Sequence, residues 1–290
     1  MSEACRGAVD TGFIALGYAK VAFLGVIQGI TELLPVSSTA HMRIVPAVLG
    51  WPDPGAAFSA AMQMAALVAV LSYFRRDVSS LVTGSVQAIA HRRFNDRDLR
   101  LSLWILVATI PIGVAGLLLA PVLNACNSPL RSIPAIGAAC VVMGLLLAWT
   151  EWGARHRRTI DDGNGGDAFL IGLAQVGALI PGVSRSGSTL TAALALGFKR
   201  AEAARLSFLL GIPAIALAGG KELWELHKAH LDAYAWSVLA VGIVAGSLSA
   251  FAAIWGLMRG LERFSTWPFS IYRIALGVFL LGAAATGWLR

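Results

Sequence analysis

The stretches 101–120 (LSLWILVATIPIGVAGLLLA) and 235–255 (AWSVLAVGIVAGSLSAFAAIW) run without a charged side chain. About 20 consecutive apolar residues is the length a helix needs to cross the hydrocarbon core of a bilayer. In that medium the backbone must satisfy its own hydrogen bonds, so spanning helices are the economical structure. The rest of the chain agrees, since 57% of the 290 residues are hydrophobic and only 13% are charged, where a soluble domain carries about 25%. Mean hydropathy is +0.71. The sequence predicts an all-α integral membrane protein forming a single membrane domain over residues 1–290.

Six full-length spans are expected, over 57–74, 101–120, 134–150, 203–218, 235–255 and 270–288. Two further apolar segments, about 21–50 and 168–197, are broken by the polar stretches ELLPVSSTAHMR (32–43) and LIPGVSRSGSTL (179–190), and read as kinked spans or re-entrant helical hairpins. Shifted by 147 residues, Gly25, Gln28, Val36, Ser37, Leu49 and Gly50 fall on Gly172, Gln175, Val183, Ser184, Leu196 and Gly197, and the two breaks superpose. This indicates an internal duplication, with repeat 1 over about 21–150 and repeat 2 over about 168–288. The N-terminus has an acidic residue ahead of its apolar run and no clear small-residue cleavage site, so it is expected to be retained.

Charge tests the topology. With both broken segments entering and leaving on one side, the loops at 75–100, 151–167, 198–205 and 256–268 share a face and hold fourteen Arg and Lys residues. The opposite face holds six: Arg6, Lys20, Arg131, Lys221, Lys228 and Arg290. The positive-inside rule then puts both termini outside. Three spans separate the repeats, an odd number, so the second copy is inverted, and inverted repeats with broken helices commonly build a polar site where they meet. Counting both broken segments as full crossings fits the same charges. The net charge of +7 lies in short loops and not on a continuous basic face, which argues against nucleic acid as a partner. Cys5, Cys126 and Cys140 are far apart and suggest neither a metal cluster nor a disulfide.

Arg43, Arg185 and Arg273 remain inside apolar segments, where a cation is costly and is by default a functional candidate. Arg185 sits in Gly182-Val-Ser-Arg-Ser-Gly-Ser-Thr189, among hydroxyls and glycines at a restarting helix, a setting that suits a phosphate. The alternative is an Arg snorkelling to lipid phosphates. Gln28 and Glu32 share a helical face, followed by Pro35, Ser37, Ser38, Thr39 and His41. A carboxylate, a hydroxyl and an imidazole within ten residues are the groups that activate a nucleophile and move protons. Taken singly, Gln28 also reads as helix packing, Ser37 and Thr39 as helix caps, and His41 as an interior histidine. Arg273, in FSIYRIALG, either reaches the site or pairs with Glu262; Gln63 either packs or lines the cavity.

Gln28-Gly-Ile-Thr-Glu-Leu-Leu-Pro-Val-Ser-Ser-Thr-Ala-His41 and Pro181-Gly-Val-Ser-Arg-Ser-Gly-Ser-Thr189 resemble the two signature motifs of the undecaprenyl-pyrophosphate phosphatases, the bacitracin-resistance proteins of bacteria. The resemblance covers essentially the whole chain. It implies a multi-pass enzyme of the bacterial cytoplasmic (inner) membrane, with six transmembrane helices and two re-entrant hairpins. That enzyme removes the terminal phosphate of the C55 lipid undecaprenyl pyrophosphate at a site open to the periplasmic or extracellular face, recycling the carrier for peptidoglycan. By motif position it implies Ser38 as nucleophile, His41 as proton-transfer group and Arg185 as phosphate clamp, with Glu32 and Gln28 as the acidic-motif pair. Gln28, Ser37, Thr39, Ser184, Ser186, Gly187, Thr189 and Arg273 are the expected substrate-binding set. A divalent cation, Mg2+ or Ca2+, is expected on Glu32, alone in that role because position 28 is Gln. Position 40 is Ala where the motif usually has Gly. The expected partners are the polyprenyl pyrophosphate and the bilayer, with a homodimer left open. A transporter or flippase of polyprenyl phosphates is the rival reading, since inverted repeats with broken helices also build transporters.

Overall fold

The computed structural model describes residues 11–123 and 128–289 and is helical throughout, with one isolated extended pairing between Arg158 and Phe198. Cys5, Cys126, Arg6 and Arg290 lie outside the described residues. Twelve α-helices follow in order among the described residues: α1 (Gly17–Leu33), α2 (Ser38–Val48), α3 (Ala56–Ala61), α4 (Gln63–Tyr73), α5 (Arg75–Ala90), α6 (Arg97–Leu123), α7 (Ile133–Gly153), α8 (Gly165–Val176), α9 (Arg185–Ala195), α10 (Arg200–Lys228), α11 (Ala233–Leu261) and α12 (Trp267–Ala285). Polar caps set several starts. Ser132 accepts from the Ala135 amide at α7, Asp232 from Ala235 at α11, and Asn164 with Asp167 forms a capping box at α8.

Six helical stretches are long and apolar enough to cross a membrane: Gly12–Leu33, Arg97–Leu119, Ile133–Gly153, Arg200–Lys228, Ala233–Leu261 and Trp267–Ala285. The number agrees with expectation, but the membership differs in one place. The expected span at 57–74 is a 57–73 helix that bends by 77° into α5, because Arg75 and Arg76 end its apolar run. The Gly12–Leu33 stretch, which holds the first arm of the first broken segment, is counted among the six, the bent pair makes a seventh if it is one span, and what was read as a loop at 75–100 contains the 16-residue α5.

The broken segments are folded back on themselves. Trp51, just past α2, meets Phe23 edge-on at 5.8 Å and lies under the Lys20 ammonium at 5.3 Å, both near the start of α1. Lys20 to Leu33 is about 20 Å of helix at ~1.5 Å per residue, so the chain travels that far to its break and returns. The second segment closes the same way. Arg158 binds Asp167 at the start of α8 (2.5 Å) and the Leu196 carbonyl at the end of α9 (2.8 Å). The open end of the first hairpin shares a core with Val238 and Leu239 of α11, and that of the second with Leu257 and Leu261.

Small residues set the helix crossings. A methyl at Gly25 of α1 would run into the Gly242 carbonyl of α11, and one at Gly172 of α8 into Ala108 of α6. Gly137 and Gly277 allow the same closeness between α7 and α12. At the end of the bundle where the second hairpin opens, Arg97–Asp161, Arg205–Asp77 and Arg200–Glu151 ion pairs join the loops, and Thr266 caps onto Glu151. The four basic loops grouped by charge thus meet at one end.

Candidate active site

The site forms where the two hairpin tips touch. Each tip ends in a serine in the left-handed region, Ser37 (φ 73°) and Ser184 (φ 70°), a conformation that L-residues rarely adopt. Each serine caps the helix after it, accepting from the Ala40 or the Gly187 amide. Those helices, Ser38–Val48 and Arg185–Ala195, are eleven residues each and stand 147 residues apart at both ends. The shift found in the sequence is thus also a shift in backbone conformation.

Arg273 of α12 locks the tips together. It is 1% exposed and donates from Nη1 to the Pro35 carbonyl (3.1 Å) and from Nη2 to the Gly182 (2.7 Å) and Val183 (2.9 Å) carbonyls. Gly187 leaves room for it, since a Cβ there would crowd Nη1. Ser186 adds a second tie, donating to the carbonyls of Glu32 (3.0 Å) and Leu34 (3.2 Å). Thr189 bonds Ser207 of α10 at 2.5 Å. Ser184, Ser186, Gly187, Thr189 and Arg273, expected to bind substrate, are therefore engaged in holding the break in shape. Arg273 forms no ion pair with Glu262.

The reactive groups converge on Glu32. Its Oε2 accepts from Ser38 Oγ at 2.6 Å and from Gln28 Nε2 at 3.1 Å. Its Oε1 lies 3.6 Å from Arg185 Nη2. At that distance there is no hydrogen bond, and all three Arg185 guanidinium nitrogens are buried without an acceptor. The guanidinium lies against Gly211 of α10, where any Cβ would collide with it. Beside Ser38 and Gln28 opens a cavity of about 260 Å³, whose wall also carries Thr39 and Gln63. Arg185 is not on that wall; the Glu32 carboxylate stands between it and Ser38.

His41 is placed differently from expectation. Its Nδ1 is 2.7 Å from the Ser37 carbonyl and must donate, which leaves Nε2 to accept from the Tyr272 hydroxyl at 2.6 Å. The rings also stack at 5.7 Å. In the described structure its partners are Ser37 and Tyr272, and neither Ser38 nor Arg185 is bonded to it. Tyr272 escaped the sequence reading although it precedes Arg273 in the same segment; its partner His41 lies 231 residues away, and no local spacing connects the two. Arg43, the third intramembrane arginine, pairs with Asp53 at 2.7 Å on the cavity rim.

A family model described as "Bacitracin resistance protein BacA" matches residues 21–279. The chain belongs to the bacitracin-resistance protein BacA family. A protein of Mesorhizobium japonicum named undecaprenyl-diphosphatase 2 is 70% identical over 263 residues, covering 91% of this chain and all of that one. Undecaprenyl-diphosphatases of Synechococcus elongatus and Trichormus variabilis are 48% and 44% identical, over 92% and 99% of this chain and 93% and 90% of theirs. Membership in the BacA family agrees with the two motifs, and both lie inside the matched region.

Proposed function

We propose that the protein is an undecaprenyl-diphosphatase of the bacterial inner membrane. It hydrolyses the terminal phosphate of undecaprenyl diphosphate to give undecaprenyl phosphate and inorganic phosphate, recycling the carrier lipid for peptidoglycan and conferring bacitracin resistance. The observation that carries this reading is a serine bonded to a buried carboxylate at 2.6 Å, with a hydrogen-bond-free guanidinium on the carboxylate's other oxygen. A buried cation with its donors unused is expensive unless it serves a ligand, and a guanidinium grips phosphate with two parallel bonds. The names and coverage of the relatives support the same substrate.

In this reading Ser38 Oγ attacks the terminal phosphorus in line as its proton passes to Glu32. The bond from that phosphorus to the bridging oxygen breaks, and the electron pair leaves on undecaprenyl phosphate. Water then hydrolyses the phosphoserine. Arg185 neutralises charge on the transferring group once substrate separates it from Glu32. The geometry favours Glu32 over His41 as the base for Ser38, because His41 spends both ring nitrogens elsewhere. Among the described residues no three His, Cys, Asp or Glu side chains form a self-sufficient metal cage. The oxygens of Glu32, Gln28 and Ser38 do suit a hard cation such as Mg2+, which commonly takes one carboxylate and fills its shell with substrate phosphate; it would supply further charge neutralisation.

We read the folded-back segments as re-entrant hairpins of inverted repeats, with the site facing the periplasm. Support comes from the two folded-back segments meeting at their breaks and from the basic loops gathered at one end of the bundle. Phosphate release from undecaprenyl diphosphate by purified protein in detergent with Mg2+ tests the function. Intact substrate with no release sinks it. Rapid-quench trapping of phosphate on Ser38 tests the covalent route.

A further inference from the structure

The cavity that reaches Ser38 extends to a wall that the mechanism above leaves unused. Ser128 and Arg131, in the short connection leading into α7, line it opposite the first hairpin. Ser128 is 7% exposed, and its hydroxyl is buried with no hydrogen-bond partner. A buried hydroxyl without a partner carries an uncompensated desolvation penalty, so its persistence on a residue of the cavity wall points to a ligand acceptor. Arg131 is exposed on the same wall and, among the described residues, has no acidic partner. The other cation at the rim, Arg43, is committed to Asp53. The volume of about 260 Å³ is close to the ~300 Å³ lower limit of sites that hold whole small ligands, and exceeds what one phosphoryl group needs. It does not accommodate a polyprenyl chain.

We infer that Ser128 and Arg131 form a second phosphate subsite, which holds the phosphate that remains on the lipid. This rests on the phosphatase reading: with the terminal phosphate at Ser38 and Arg185, the inner phosphate of the same diphosphate falls on the remaining wall. Its chemical role follows from the bond that breaks. The bridging oxygen departs as part of the inner phosphate and gains negative charge, which the Arg131 guanidinium offsets while Ser128 donates to a non-bridging oxygen. The subsite thereby selects diphosphates over monophosphates.

The test is direct binding of inorganic pyrophosphate and inorganic phosphate to the full-length protein in detergent by calorimetry, which reads the subsite whether or not turnover occurs. Wild-type protein should bind pyrophosphate more tightly than phosphate. Arg131→Ala should weaken pyrophosphate about tenfold, the scale of one hydrogen bond to a charged group, and leave phosphate within about twofold. Ser128→Ala should have a smaller effect of the same kind, and Arg131→Lys should recover most of the loss. Equal affinity of wild-type protein for the two anions overturns the inference, as does a parallel change in both or no change in either. Undecaprenyl diphosphate turnover, assayed alongside, fails separately if only the phosphatase reading is wrong.

Discussion

The two hairpin tips share a backbone and differ in chemistry. Ser37 and Ser184 occupy the same left-handed conformation, cap helices of equal length, and are followed by glycines with positive φ at positions 50 and 197. Yet the first tip carries Glu32, Ser38 and His41, and the second carries Arg185 with serines and glycines. The serine caps are common to both, whereas the groups around Glu32 come unequally from the two tips. Each tip alone has half of the cluster, a hydroxyl bonded to a carboxylate or a buried guanidinium.

Substitutions can break this division of labour most strongly at its reactive centre. Ser38→Ala and Glu32→Gln should each lower kcat by about 10³-fold or more, as expected for a nucleophile and its base, with thermal stability little changed in Ser38→Ala and lowered in Glu32→Gln, which leaves the buried Arg185 without its counter-charge. Retention of more than about a tenth of wild-type rate in Ser38→Ala would rule out the covalent route. Next comes the lock between the tips. Arg273→Ala strands three buried carbonyls and should cost about 3 kcal/mol or more in thermal unfolding in detergent, while Arg273→Lys, lacking the planar fork, recovers only part. The helix crossings follow: Gly25→Ala and Gly172→Ala should each cost about 2 kcal/mol by overpacking, whereas Gly113→Ala, which meets nothing within 4 Å, should cost nothing. The smallest effect sharpens the comparison best. Ser37→Ala and Ser184→Ala should each lose about 1 kcal/mol from the lost cap, and the glycine versions should be nearly neutral because glycine relieves the positive φ. Different orders at the two tips would contradict their equivalence.

Much of this was legible in the sequence because membrane burial makes polar residues conspicuous. Pro35, Ser37, Glu32 and Arg185 stand out against an apolar background, and the 147-residue shift already aligned the two breaks. Hydropathy measures composition along the chain, however, and is blind to direction. It therefore counted 57–74 as a full span and did not see the 77° bend into α5. It also could not separate residues that touch substrate from residues that hold the backbone. Arg273, Ser186 and Thr189 stood out by type as ligand groups, and their bonds to backbone carbonyls and to Ser207 could be read only from the structure. The pairings of His41 with Tyr272 and of Arg185 with Gly211 link residues far apart in the chain, and no local period announces them.

The Arg273 lock has a consequence for how such a protein can change over time. Its guanidinium grips only main-chain oxygens, so apart from the room that Gly187 leaves for Nη1 it follows the path of the tips and not the side chains they display. Two tips clamped in this way can exchange an acid for a base in one without loosening the hold on the other, so long as Gly187 keeps its place. The join is a keystone that fixes shape and leaves the lettering on either stone free to be rewritten.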